Sequence, residues 1–262
     1  MEAYGPCLGH MRATAPLVHN ITNYVAMNVM ANVLLASGAS PAMVHAREEV
    51  VEFAGLAQAL SVNIGTLDPA WSDAMQMAAR AMGAAGRPWV LDPVGVGATH
   101  FRQDICARLL DLKPTVIRGN ASEILALAGI GAKGRGADSA DPVEAAEVAA
   151  RDLALRTGAT VAVSGPVDFV TDGKDAARVA NGHAFMPLVT ALGCSLNGVI
   201  AAFLVGQPTL RATVAALAYF GLAGEQAAHR ATGPGSFAVA FVDALHAVSP
   251  DDLTRGARVI AA

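Results

Sequence analysis

Short runs of β-branched and apolar residues alternate along this chain with longer alanine-rich stretches. Each short run stops at a small or polar residue beside glycine or proline. That rhythm implies βαβ units, and so an α/β fold with a central, mostly parallel sheet flanked by helices on both faces. One strand is expected at Leu60-Ser61-Val62-Asn63-Ile64, ending at Gly65-Thr66, and another at Pro88-Trp89-Val90-Leu91, ending at Asp92-Pro93. A third is expected at Thr115-Val116-Ile117, ending at Arg118-Gly119-Asn120, and a fourth at Thr160-Val161-Ala162-Val163, ending at Ser164-Gly165. Helices fit between them, for example Trp71 to Met82 and Val143 to Arg156, and the chain from about Leu188 to Ala247 reads as largely helical. The Gly, Ala and Asp-rich stretch Gly131 to Asp141 reads as an exposed loop.

In open parallel sheets, ligands bind beyond the carboxyl ends of the strands. Asp92, Arg118 and Ser164 therefore gather along one edge. Turn chemistry alone accounts for a Gly, Asp or Pro at any single strand end; several strand ends of this kind together favour a shared site.

A chain of 262 residues with 53% hydrophobic and only 15% charged residues can bury a large core, and one domain spanning 1–262 is expected. So little charge also suggests surface covered by other subunits. The net charge of -4 gives no electrostatic reason to expect nucleic acid or an anionic membrane as partner. The three cysteines, Cys7, Cys106 and Cys194, are odd in number and widely spaced, which argues against a disulfide framework and against zinc. No basic segment followed by an apolar stretch opens the chain, and the apolar stretch near Ala201 is broken by Gly206-Gln207-Pro208, so neither a signal peptide nor a membrane span is expected. The reading is a cytoplasmic protein.

Three tracts can carry chemistry. Thr190-Ala191-Leu192-Gly193-Cys194 precedes an apolar helical face, so it lies at a helix N-terminus, where free N–H groups and the helix dipole favour an anion. Gly193 would let a ligand approach the backbone, and Cys194 in the first turn would have a lowered thiol pKa. The bland alternative is a small-residue loop packing a buried helix, with Cys194 inert. In Arg118-Gly119-Asn120-Ala121-Ser122-Glu123, Asn120 fits a helix N-cap and Glu123 the far end of a capping box. The functional alternative has Arg118 on phosphate and Glu123, with Asp92, on Mg²⁺, which commonly uses one or two carboxylates plus waters and substrate phosphates. Asp92-Pro93-Val94-Gly95-Val96-Gly97 is neither a Walker A loop nor a dinucleotide fingerprint, so an ATP site here needs another fold.

These tracts, taken in order, resemble the hydroxyethylthiazole kinases of the ribokinase-like superfamily. The matching segments are Pro16-Leu17-Val18-His19-Asn20-Ile21-Thr22-Asn23-Tyr24-Val25, Ala39-Ser40-Pro41-Ala42-Met43, Asn63-Ile64-Gly65-Thr66, Asp92-Pro93-Val94-Gly95, Arg118 to Glu123 and Gly233-Pro234-Gly235-Ser236. They span about residues 10 to 240. The resemblance implies a ribokinase-like fold, transfer of the ATP phosphate to a thiazole alcohol in thiamine biosynthesis or salvage, Mg²⁺ at the ATP site, and a homotrimer with thiazole sites between subunits. By matching position it implies that Met43, Ala191 and Asn23 contact the thiazole alcohol and that Arg118 and Ser164 contact ATP. It places Asp92 and Glu123 on the magnesium side; on the helix-start reading, the N–H groups around Gly193 and Cys194 stabilise charge on the transferred phosphoryl group. Ser164 stands where threonine is usual, and Cys194 where many ribokinase-like enzymes have an aspartate base.

One tract departs from the family pattern, Thr-Gly-Ala/Thr-Gly-Cys. Here Ala191 replaces the first glycine and Leu192 is bulkier than usual. If Ala191 needs a positive φ, the site carries a strain of about 1–2 kcal/mol. Two other readings stay open on sequence: a related kinase of a pyrimidine or pyridine alcohol, and a metabolite-binding homologue impaired in catalysis.

Overall fold

The computed structural model describes residues 3–129 and 142–262. The stretch expected to be an exposed loop, Gly131 to Asp141, lies outside the described residues. The chain runs α1 (Gly5–Thr14), β1 (Leu17–Ile21), α2 (Met27–Ser37), β2 (Ser40–Met43), α3 (Val50–Leu56), β3 (Ala59–Asn63), α4 (Pro69–Ala84) and β4 (Trp89–Asp92). It continues with α5 (His100–Leu110), β5 (Val116–Asn120), α6 (Ala121–Gly129), α7 (Pro142–Thr157), β6 (Thr160–Ser164), β7 (Asp168–Thr171) and β8 (Ala176–Val179). A 3-10 turn at Met186–Leu188 then leads into α8 (Leu192–Leu204), α9 (Thr209–Ala228), α10 (Pro234–Ala247), α11 (Pro250–Gly256) and β9 (Val259–Ala261).

The strands form one nine-stranded sheet in the order β2-β1-β3-β4-β5-β6-β7-β8-β9. The pairs from β2 through β6 are parallel, while β7, β8 and β9 add on antiparallel. The four strands expected from sequence lie within one or two residues of the observed β3 to β6, and the two helices expected between them are α4 and α7. The expected strand ends fell short because Asp92, Arg118, Gly119, Asn120 and Ser164 are themselves strand residues. Each polar terminus is still paired in the ladder.

Side chains on a strand alternate between faces, and here the alternation divides the core in two. Val18, Ala59, Val90, Val116 and Ala162 pack with α1, α2 and α8 to α11. Leu60, Val62, Trp89, Leu91, Ile117 and Val161 pack under α4, α5 and α7. The pattern has a consequence for the site. Asn63 is in register with Asp92 across β3 and β4, and both alternate onto the face that α8 covers.

Two helices that frame this edge start with strong caps. The Asp68 carboxylate accepts from the Trp71 N–H at 2.9 Å at the start of α4. The Thr99 hydroxyl caps α5 through the Arg102 N–H at 3.3 Å. Arg102 then reaches back to the carbonyls of Val94 at 2.5 Å, Ile64 at 2.8 Å and Gly65 at 2.6 Å, binding the β3 and β4 exits together.

Candidate active site

At the carboxyl edge of the sheet, a chain of polar side chains runs from β1 to α8. Asn23 Nδ2 donates to the side-chain oxygen Oδ1 of Asn63 at 2.8 Å and to the Cys194 sulfur at 3.3 Å. Asn63 Nδ2 and Asn197 Nδ2 both donate to Asp92 Oδ2, each at 2.5 Å. Asp92 is buried, and burial is the main cause that lifts its carboxyl to about 7. Arg118 pulls it down, the Glu123 charge pushes it up, and the two amides pull it down. The Glu123 charge therefore acts on Asp92, and added positive charge would relieve it.

Glu123 opens α6 as the capping box foresaw. Its N–H donates to Asn120 Oδ1 at 3.0 Å, and its Oε2 accepts the Asn120 N–H at 2.9 Å. The other oxygen, Oε1, accepts the Gly95 N–H at 3.0 Å. One carboxylate thus ties the loop after β4 to the start of α6.

The start of α8 leaves backbone N–H groups free. Ala191 has φ 66 and ψ 0, a left-handed conformation, and caps the helix with no side-chain bond. The first intrahelical bond here runs from the Ser195 N–H to the Ala191 carbonyl at 2.8 Å, so the N–H groups of Leu192, Gly193 and Cys194 remain as donors for a ligand. Arg118 lies over this turn, its Nη1 donating to the Gly193 carbonyl at 3.1 Å. A side chain at Gly193 would bring a Cβ within 3.3 Å of that nitrogen, so glycine makes room for the guanidinium. The Arg118 Nε is buried and finds no acceptor among the described residues.

Of the two readings of Cys194, the structure favours the one without an activated thiol, since its pKa is raised. Burial is the largest cause and raises the thiol, the Asp92 charge adds to it, and the amides of Asn23 and Asn63 and the Arg118 charge offset only part. Desolvation and a neighbouring carboxylate outweigh the helix N-terminus.

Arg118, Ser164, Leu192 and Gly193 line a cavity of about 680 Å³, closed elsewhere by His183, Met186, Leu196 and Phe220. Ser164 sits at the exit of β6, its hydroxyl donating to the Gly119 carbonyl at 3.1 Å. Met43 ends β2 on the same sheet edge, half-buried and in register with Asn20. Among the described residues, no hydrogen bond joins it to the Asp92 network. Among the described residues no cluster of three or more His, Cys, Asp or Glu side chains is placed to hold a metal. The oxygen donors of Asp92 and Glu123 nevertheless suit Mg²⁺, which needs few protein ligands when phosphates and waters complete its shell.

Sequence reasoning missed three contributors. Asn197 holds Asp92 from α8; its signal was a polar residue inside an otherwise apolar helix. Asn63 was read as a strand residue and as part of a matching segment but given no role, though strand alternation alone puts it beside Asp92. Asp168 lines the cavity, accepts the Gly165 N–H at 3.0 Å, and is raised to about 6, chiefly by burial, against the pull of Gly165 and Arg118.

Comparison with known proteins agrees with this geometry. The family model for the hydroxyethylthiazole kinase family matches residues 8–251. The chain is 68% identical over 262 residues to a hydroxyethylthiazole kinase of Cereibacter sphaeroides, covering 100% of both chains. It is 62% identical over 260 residues to one of Rhizobium leguminosarum, covering 98% of this chain and 97% of the relative. The solved structure of a hydroxyethylthiazole kinase from Pyrococcus horikoshii superimposes with a TM-score of 0.93 at 41% identity, covering 100% of both chains. A pyridoxal kinase of Staphylococcus aureus, solved with AMP-PCP, gives a TM-score of 0.60 at 16% identity over 80% of this chain and 88% of that one, which is a likeness of fold. The sheet, its flanking helices and these likenesses make the fold ribokinase-like, and the chain belongs to the hydroxyethylthiazole kinase family.

Proposed function

We propose that this chain, as a single kinase domain over residues 1–262, transfers the terminal phosphate of ATP to the hydroxyl of hydroxyethylthiazole, in the cytoplasm and as a homotrimer. The observation that carries the reading is the turn at the head of α8. Its free N–H groups and the Arg118 guanidinium meet at one end of a largely apolar cavity, beside the Asp92 and Glu123 carboxylates. That is a place for a polyphosphate with a base attached.

Phosphoryl transfer needs positioning and charge neutralisation more than covalent chemistry. Bound Mg²⁺ supplies positive charge against the ATP phosphates, and Asp92 and Glu123 are the residues to hold it. Arg118 and the N–H groups of Gly193 and Cys194 meet the charge that develops on the transferred group. Ser164 contacts ATP, and Met43, Asn23 and Ala191 contact the thiazole alcohol. The Cys194 thiol, held protonated by burial and by Asp92, is suited to hydrogen-bond the alcohol rather than to strip its proton. A loosely bonded transition state makes little demand on a base.

The trimer reading is supported by the sheet edge. β2 is an end strand, and the elements beside it expose Tyr24, Val25, Leu35 and Val51. Large apolar groups around an unpaired edge suit burial against another subunit.

The test is turnover with ATP and Mg²⁺ against a panel of thiazole, pyridine and pyrimidine alcohols, followed by ADP release. Hydroxyethylthiazole should give the highest kcat/KM. Preference for a pyridine or pyrimidine alcohol, or no ADP release with any of them, would reject the reading.

A further inference from the structure

The cavity wall between β8 and α8 is not self-supporting. Asn181, Gly182, His183, Met186 and Pro187 line the cavity, yet the segment from 180 to 185 belongs to no helix or strand. It is held from behind by Glu225 of α9. Glu225 Oε1 accepts from Asn181 Nδ2 at 3.0 Å, from the Gly182 N–H at 2.9 Å and from Arg258 Nη2 at 2.7 Å. Its Oε2 accepts from Arg258 Nη1 at 2.9 Å. Asn181 closes the loop of contacts, donating to the Gly256 carbonyl at 2.9 Å and accepting the Arg258 N–H at 2.7 Å. The wall lies so close to α9 that a Cβ at Gly221 would sit 2.5 Å from the Asn181 carbonyl oxygen.

Several features make this more than a surface ion pair. The Asn181 side chain is buried, and the Gly182 N–H has a charged acceptor, so removing Glu225 strands donors away from water. The Arg258 fork engages both carboxylate oxygens, the strongest form of the interaction. Arg258 also donates to the Ala180 carbonyl at 2.6 Å, so the same guanidinium touches the wall directly. Arg258 lies beyond the part of the chain that the family model matches, residues 8–251.

We infer that Glu225 and Arg258 form a clamp that positions the nucleotide wall, and that they set affinity for ATP without touching it. The inference rests on the ATP reading above. When the clamp is lost, the wall samples positions that cannot receive the nucleotide, and apparent affinity falls by the fraction of molecules left competent. The α8 turn is spared, because that helix is anchored by its own buried face.

The experiment compares wild type with Glu225→Gln, Arg258→Gln, Arg258→Lys and the Glu225→Gln/Arg258→Gln pair. Thermal unfolding establishes that each is folded. Steady-state kinetics give kcat and the two KM values, and calorimetry gives the Kd of ADP. In Glu225→Gln and Arg258→Gln, the KM for ATP and the Kd for ADP should both rise on the order of tenfold, with kcat and the KM for the thiazole alcohol little changed. Arg258→Lys should recover part of the loss, and the double variant should fall short of the product of the two single effects, since the two side chains share a contact. Should Glu225→Gln fail to fold, the Arg258 variants decide alone, because that side chain is half-exposed. Unchanged nucleotide constants in folded variants, or an equal fall in every parameter, overturn the clamp. Wild type that neither turns over ATP nor binds ADP overturns the ATP reading itself.

Discussion

Ala191 holds a left-handed backbone at φ 66, where the family pattern has glycine. A non-glycine residue there costs about 1–2 kcal/mol, while glycine costs about 0.4–1 kcal/mol through the freer unfolded chain. Ala191→Gly should therefore leave stability unchanged or raise it by up to about 1.6 kcal/mol, and raise kcat with little change in the KM for ATP, as expected for better support of the transition state. Chemical denaturation and steady-state kinetics check both; a folded variant with unchanged or lower kcat would mean that the alanine turn is already well fitted. Leu192 is a separate matter, although the sequence presents the two as one departure. It is buried between the cavity and the core, so Leu192→Ala should cost about 2–5 kcal/mol. Cys194 gives a second expectation. With its thiol raised by burial and by Asp92, alkylation by iodoacetamide at neutral pH should be slower than that of a free thiol near pKa ~8.5. A faster rate would show that the helix N-terminus prevails.

The start of β7 carries the clearest dependence on pH. Asp168 has a carboxyl raised from 3.8 to about 6, mainly by burial. The folded state thus binds this proton more tightly than the unfolded one, so the contribution to stability is complete below about 3.8 and is lost as pH rises to about 6. Asp92 acts in the same direction up to about 7. Urea midpoints between pH 4 and 7 should fall for wild type and fall less for Asp168→Asn; parallel curves would show that Asp168 does not titrate in this window. α6 offers a further test. Both Glu123 oxygens accept backbone N–H groups, so glutamine can keep only one of those bonds, and Glu123→Gln should lose roughly 0.5–2 kcal/mol as a cap does. Strands β3 to β6 were legible because their apolar runs end in turn chemistry. β1 and β2 were not offered as strands because His19 and Asn20 interrupt one and Pro41 the other; each is nonetheless held in the sheet by pairing that only the tertiary structure supplies. The edge where Asp92, Arg118 and Ser164 meet was readable from strand ends, as was the turn at Gly193. Asp168 was not, because an aspartate after Gly-Pro-Val looks like turn chemistry until Arg118, fifty residues away in sequence, is brought near it.

The sheet has two unlike ends. At β2 the apolar surroundings favour a subunit contact, and light scattering at micromolar concentration should give three chains per particle; a monomer would remove the shared thiazole site. Replacing Tyr24 and Val25, both exposed, by lysine should shift the protein toward monomer if that edge is the contact. At the opposite end the sheet finishes in β9, just after Arg258. The order of synthesis gives that placement a meaning. A growing polypeptide can form β1 to β6, the α8 turn and α9 before residues 256 to 258 exist. Until those residues emerge from the ribosome, Glu225 has no guanidinium to grip and Asn181 has no Gly256 carbonyl to reach. The nascent protein would pass through a stage with β1 to β6 in place and its nucleotide wall still loose, its affinity for ATP rising once Arg258 meets Glu225.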